Sequence, residues 1–150
     1  MFKIKLDNIQ NLKIKRFYMK KVLILCTGNS CRSIMAEALI NANLDGISAD
    51  SSGVKASGKI NPNAKKLLEN KGIWKEEYHS KTIDKVINND YDLVVTVCDH
   101  AIQNCPVFPK KIKTLHISFE DPSGKDFEAF EETYKKIKDI LLPKINDFFK

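Results

Sequence analysis

A small parallel β-sheet of about four strands, with helices on both faces, is the α/β fold that the sequence predicts for residues 19–150. Two short apolar runs, Val22–Leu25 and Leu93–Val97, lack the alternation of a half-exposed strand and suit strands buried on both faces. Between and after them lie stretches with helical spacing, and strands alternating with helices build a parallel sheet. The length agrees with this. A chain of 150 residues, 43% of them hydrophobic, makes one domain able to bury about two-thirds of its unfolded surface without disulfides. No internal repeat, low-complexity tract or second-domain boundary appears.

Taken in order, Met1 to Tyr18 form a basic arm in which Phe2, Ile4 and Leu6 alternate with Lys3 and Lys5. The arm lacks the apolar stretch of a secretory signal, and Met19 stands just before the first convincing element. Residues 1–18 are therefore expected to be a dispensable N-terminal extension, and 19–150 a single catalytic domain. Lys21–Leu25 is the first strand, and Cys26 to Ser33 is a loop. Met35, Ala38, Leu39 and Ala42 then recur at helical spacing. Ile47–Val54 is a second extended stretch. Asn61-Pro62 starts a helix as N-cap and first-turn proline, with Ala64, Leu67 and Leu68 as its stripe and Gly72 beyond its end. Ser80 is expected to cap a short helix carrying Ile83, Val86 and Ile87. Tyr91–Val97 is a buried strand closed by Cys98, and Lys113–Ser118 a further one. Phe127, Phe130, Tyr134, Ile137 and Leu141 share one helical face, which Pro143 should end or kink. Trp74 and the C-terminal phenylalanines read as core.

Charge and apolar runs exclude several classes. The formal net charge is +6, but residues 1–18 hold +4 of it, leaving +2 for the rest of the chain. A nucleic-acid binder clusters its excess charge on one face, so nucleic-acid binding is not expected. No apolar run approaches the ~18 residues of a membrane span. Without an export signal the chain is expected in the cytoplasm, where structural disulfides are rare. Cys26, Cys31, Cys98 and Cys105 are then catalytic, metal-binding or merely buried. Paired Cys-x2-Cys spacing is absent and His79, His100 and His116 are ungrouped, so no metal and no cofactor is expected.

Sites in parallel sheets lie beyond the carboxyl ends of strands. Cys26 and Cys98 each follow a strand directly, and the Asp121 segment follows the next. A strand, then Cys-x5-Arg-Ser, then a helix concentrates positive potential on one loop. The backbone N–H groups of Thr27, Gly28, Asn29, Ser30, Cys31 and Arg32 can ring an oxyanion, with the helix N-terminus behind them. Arg32 can hold two oxygens of a tetrahedral anion side by side. Gly28 is expected to let the backbone turn and approach closely, and Asn29 tolerates a left-handed conformation. The same field lowers a thiol's pKa at Cys26, with Ser33 a candidate donor to it. Cys31 reads as a small buried side chain.

From Val22-Leu23 through Met35-Ala36-Glu37-Ala38 the chain resembles the low-molecular-weight protein tyrosine phosphatase superfamily. Cys26-Thr27-Gly28-Asn29-Ser30-Cys31-Arg32-Ser33 is most similar to its arsenate reductase branch, and the resemblance covers about residues 19–150. It implies a low-molecular-weight-phosphatase-like fold and thioredoxin-coupled reduction of arsenate to arsenite. It also implies a relay. Cys26 attacks arsenate, Cys98 attacks the adduct to leave a Cys26–Cys98 disulfide, and Cys105 resolves it as Cys98–Cys105. A disulfide needs Cα atoms within ~4.4–6.8 Å. An intact helix would hold residues 98 and 105 about 10 Å apart. The segment between them must therefore unwind or loop.

In Phe119-Glu120-Asp121-Pro122 the resemblance assigns Asp121 as the carboxyl near the loop. It acts as an acid in phosphoryl transfer or helps to deprotonate Cys98 in the reductase. Ser123-Gly124 follow where the phosphatase branch carries aromatic residues. Glu37 and Ser52 match residue types that some members use near a potassium ion. Lys81 stands where those members carry an acidic ligand, so potassium is not expected. The expected partners are arsenate, arsenite and thioredoxin, with a glutaredoxin as the alternative reductant, and the chain is expected to be a monomer. Two other functions remain open at this point: a tyrosine phosphatase using Cys26, Arg32 and Asp121, and a non-catalytic oxyanion- or metal-binding protein.

Overall fold

The structure is a computed structural model that describes residues 19–150. The expectation of a dispensable arm falls on residues outside that range. Strands β1 (Lys20–Cys26), β2 (Ile47–Gly53), β3 (Leu93–Thr96) and β4 (Lys113–His116) form one sheet in the order β2-β1-β3-β4. Every pairing is parallel, with Cys26 opposite Gly53 and Leu25 opposite Thr96. Val22 to Cys26 are all buried, as are all four residues of β3. Consecutive burial means that both faces of these central strands are covered, which is why their sequences read as apolar runs rather than as alternations. The edge strand β4 is short and mostly exposed and carries Lys113, a composition that discourages further strand addition.

The helices are α1 (Arg32–Asn43), α2 (Pro62–Asn70), α3 (Asp99–Gln103), α4 (Phe127–Lys136) and α5 (Leu142–Phe148). Asn61 caps α2 as expected, accepting the Asn63 N–H at 2.9 Å, and Gly72 follows in the left-handed region. In α1 the eight residues Ser33–Ile40 are all buried, whereas Ala42 is exposed. A one-sided stripe was expected. The helix instead packs on β1 and β2 and also meets α2 and the C-terminal helices, so its polar positions Ser33 and Glu37 are enclosed as well.

The other differences are local. The helix expected after Ser80 is only a 3-10 turn at Ile83–Lys85, because the Ser80 hydroxyl is engaged elsewhere, with Gly28 O and Gly58 N. Pro143 does not end the last helix. A π-helical turn at Ile137–Leu141 widens the ladder just before it, and Pro143 then sits in the first turn of α5. Phe130, Ile137, Leu141 and Ile145 remain buried through the change. Trp74 is half-buried, its Nε1 bonding Glu76, and Phe148 is exposed, so neither is fully core. Among the described residues, no helix is long and apolar enough to cross a membrane.

Candidate active site

Cys26 ends β1, Cys98 lies two residues past β3, and the two strands are parallel neighbours, so both cysteines leave the sheet at one edge. Beyond β4, Ile117 N bonds Thr96 O and Phe119 N bonds Val97 O, both at 3.0 Å, which brings Asp121 to the same edge.

After Cys26 the backbone closes into a ring whose carbonyls are tied outward. Val54 N donates to Cys26 O at 3.0 Å, and Lys55 N to Thr27 O at 2.9 Å. Ser57 N reaches Gly28 O and Asn61 N reaches Ser30 O, both at 2.9 Å. Across a planar trans peptide, C=O and N–H point in opposite directions. Fixing these four carbonyls outward therefore turns the N–H groups of Thr27, Gly28, Asn29 and Cys31 inward. The Thr27 N–H indeed lies against the Cys26 sulfur.

The left-handed residue is Asn29, with φ 50°, the only non-glycine of positive φ among the described residues. Its side chain holds that conformation. Oδ1 accepts the Lys81 N–H at 2.9 Å, and Nδ2 donates to Ser33 Oγ at 2.8 Å and to Ser51 Oγ at 2.9 Å. Ser33 thus serves the loop through Asn29 rather than as the expected direct donor to Cys26. Among the described glycines the tightest backbone approach is at Gly53. A Cβ at Gly28 would meet only Ser30 Oγ, at 3.7 Å, whereas one at Gly53 would lie 2.5 Å from Thr27 O. Gly53 is the strand partner of Cys26, and the loop folds back directly over it. Gly53→Ala should therefore displace the ring, costing about 1–3 kcal/mol as other overpacked sites do. Phosphate should then bind far more weakly by calorimetry. Wild-type melting and wild-type phosphate affinity in this variant would contradict the close approach.

Below the ring, Ser51 Oγ donates to Glu37 Oε1 at 2.6 Å. Burial pushes the Glu37 carboxyl up to about 7, against the Ser51 hydroxyl and the Lys81 charge, which lower it. Ser52 Oγ is buried without a partner. These residues do not fit a potassium ion: they offer one carboxylate, already bonded to Ser51, and the Lys81 ammonium supplies the positive charge that faces it.

Arg32 opens α1, and its guanidinium reaches the Phe119–Asp121 segment. Nη1 donates to Phe119 O at 3.0 Å and Nη2 lies 3.6 Å from Asp121 Oδ2, while its buried Nε has no partner. A buried N–H left unpaired is costly, and a tetrahedral anion seated among the inward amides would satisfy it.

Cys26 and Cys98 are buried and within hydrogen-bond reach of each other. The Cys26 hydrogen bond brings the Cys98 thiol down to about 5 despite burial; Thr27 Oγ1, 3.2 Å away, the Ala101 N–H and Arg32 add to the effect. Cys26 is pushed up, first by that same hydrogen bond and by burial, while Arg32 and the Thr27 N–H pull it down. The pair thus carries one charge over two sulfurs, losing its first proton well below neutrality and keeping the second. The sequence placed the thiolate on Cys26 alone. A second thiol packed against it is what spreads the charge. Thiolate absorbance should accordingly titrate one thiol near 5. Cys26→Ala should move the Cys98 midpoint upward, because its largest stabilising contact is gone. A wild-type midpoint in the ordinary thiol range would contradict the shared charge.

Cys98 precedes α3, and Cys105 lies just past that helix, half-buried. His116 bridges Thr96 of β3, at 2.7 Å, and Asp99, the first residue of α3, at 3.0 Å. Asp121 is half-exposed. Burial pushes its carboxyl up, but the Ser123 N–H at 3.0 Å, the Ser123 hydroxyl, Arg32 and the Cys31 thiol outweigh it and hold Asp121 below the ordinary carboxylate range.

The chain is similar to known proteins in sequence and fold. The family pattern described as low molecular weight phosphotyrosine protein phosphatase matches residues 21–144. Arsenate reductase 2 of Staphylococcus haemolyticus is 42% identical over 123 residues, which span 81% of this chain and 93% of that protein. The crystal structure of an arsenate reductase from Archaeoglobus fulgidus superposes with TM-score 0.65 at 34% identity, over 80% of this chain and 98% of its own. A tyrosine phosphatase from Erwinia amylovora, 22% identical, shares the fold with TM-score 0.73 over 86% of this chain and 93% of its own.

Proposed function

Because the chain belongs to the low molecular weight phosphotyrosine protein phosphatase family, we propose that its anion loop is that of an arsenate reductase working through three thiols. The single observation that carries this reading is the placement of a second buried thiol at the anion loop, the Cys98 sulfur lying 3.2 Å from the hydroxyl of Thr27, the residue after Cys26. An ester hydrolase needs one nucleophile there. A two-electron reduction needs two sulfurs that can bond.

Arsenate enters the ring of inward amides, and Arg32 takes up its oxygens through Nε and an Nη group. With the pair's remaining proton on Cys98, the Cys26 thiolate displaces an arsenic-bound hydroxyl, which takes up that proton from Cys98 and leaves as water. Cys98, left as a thiolate by that transfer, attacks the Cys26 sulfur. The sulfur–arsenic electron pair stays with arsenic, so arsenite leaves and a Cys26–Cys98 disulfide remains. Cys105 then attacks Cys98 and returns Cys26 as a thiolate. The five-residue α3 stands between Cys98 and Cys105 and must unwind for this step, since disulfide partners need Cα atoms within ~7 Å. Thioredoxin, near −270 mV, reduces the Cys98–Cys105 bond, with a glutaredoxin as the alternative reductant. We place the reaction in the cytoplasm, in a monomer.

The phosphatase reading uses the same Cys26, Arg32 and Asp121 but needs Asp121 protonated to serve a leaving oxygen. Its carboxyl is held ionised, which favours the reductase. The test is arsenate-dependent NADPH oxidation with thioredoxin and thioredoxin reductase, beside aryl phosphate hydrolysis. Arsenate turnover far above phosphatase turnover supports the proposal. Fast phosphatase activity without arsenate turnover overturns it, and stoichiometric oxyanion binding with neither activity would indicate a binding protein.

A further inference from the structure

Cys31 is a buried thiol of the anion loop that the relay does not use. Its sulfur lies 3.5 Å from Asp121 Oδ1 and 3.4 Å from Ser123 Oγ. Burial raises its pKa first and foremost, and the Asp121 charge raises it further, so it keeps its proton and is a poor nucleophile. A retained proton needs an acceptor, and of the two neighbours the Ser123 hydroxyl can itself donate to the sulfur, whereas the Asp121 carboxylate oxygen, which also receives the Ser123 N–H, can only accept.

We propose that Cys31 is a positioning residue whose thiol donates to Asp121 and fixes that carboxylate, ionised, as a proton acceptor beside the anion loop. The inference deepens the reading of Asp121 as the carboxyl of this site. Each face of the carboxylate is accounted for. Oδ1 receives the Ser123 N–H from its own loop and the Cys31 thiol from the anion loop, and Oδ2 faces Arg32 at the start of α1. Lys125 adds positive charge from the following turn, although Glu120 is its direct partner. A carboxylate so held accepts a proton readily and gives one up poorly. That suits the deprotonation of a thiol and disfavours protonation of a phosphate ester's leaving oxygen. Cys31 would thus help to decide which of two reactions one loop performs.

The test is titration of the Asp121 side-chain carboxyl by ¹³C NMR in wild type, Cys31→Ala and Cys31→Ser. An S–H is a weak donor, and losing one hydrogen bond to a charged group should raise the Asp121 midpoint in Cys31→Ala by about half a pH unit. Cys31→Ser keeps a donor and should restore the wild-type midpoint. The limb of the aryl phosphatase pH profile that requires a protonated acid should move upward with the same variant. A merely structural role would lower activity at every pH without moving either midpoint. Equal midpoints in wild type and Cys31→Ala, or equal shifts in both variants, would overturn the proposal. The titration needs neither arsenate nor thioredoxin, so its failure is separate from any failure of the reductase reading.

Discussion

Cys26→Ser should abolish arsenate reduction and aryl phosphate hydrolysis together, by on the order of 10⁴-fold or more, as expected when the nucleophile is removed from a site built around it. The serine hydroxyl has nearly the size of the thiol it replaces but does not ionise near neutrality. The amides of Thr27, Gly28, Asn29 and Cys31 keep their inward direction, because outward ties on the carbonyls fix them and no contact of the sulfur does. Phosphate should therefore still bind, and the fold should melt near the wild-type temperature. Loss of turnover with binding retained separates a missing nucleophile from a collapsed loop. Substantial turnover by this variant would remove Cys26 from the mechanism.

The second large effect divides the two activities. Cys98→Ser and Cys105→Ser should each stop multiple-turnover arsenate reduction, since the proposed cycle consumes each thiol in one step. Neither thiol has a part in cleaving an ester, so aryl phosphatase activity should persist in both variants. Cys98→Ser should alter its pH dependence, because the Cys26 thiol loses the neighbour with which it shares a proton. The expected direction for Cys26 is downward, since the hydrogen bond to Cys98 is the largest cause raising it. Steady-state assays of both activities over pH 5–9 would read this. Unaltered arsenate cycling in either variant would exclude that cysteine from the relay.

What the sequence made legible follows from how local each signal is. The runs Val22–Leu25 and Leu93–Val97 announce buried parallel strands because burial on both faces removes alternation, and the structure pairs them directly. Asn61-Pro62 announces a helix start through its own cap chemistry. The Cys26-to-Ser33 loop, the left-handed Asn29 and the convergence of Cys98 and Asp121 follow from strand ends sharing one edge of a parallel sheet. The rest depends on contacts distant in sequence. Ser80 reads as a helix cap until it is seen bonded to Gly28 O, 52 residues away. Gly53 carries no local mark, and its necessity appears only when the anion loop is folded over it. The environment of Glu37, the engagement of Ser33 by Asn29 and the contact of Cys31 with Asp121 are likewise invisible to spacing. Pro143 shows the reverse case, a strong local stop signal that a single π-helical turn absorbs.

The central claim is that two electrons pass from thiols to arsenate through a bond between Cys26 and Cys98. The most direct measurement is a single-turnover reaction of Cys105→Ser with excess arsenate and no reductant, quenched by alkylation in denaturant and mapped by mass spectrometry. The account predicts one arsenite released per chain, alkylation lost from Cys26 and Cys98 together, and a disulfide-linked pair of peptides carrying those two residues, while Cys31 remains alkylatable. Arsenite released with Cys98 still free, or no arsenite released although arsenate binds, would contradict it.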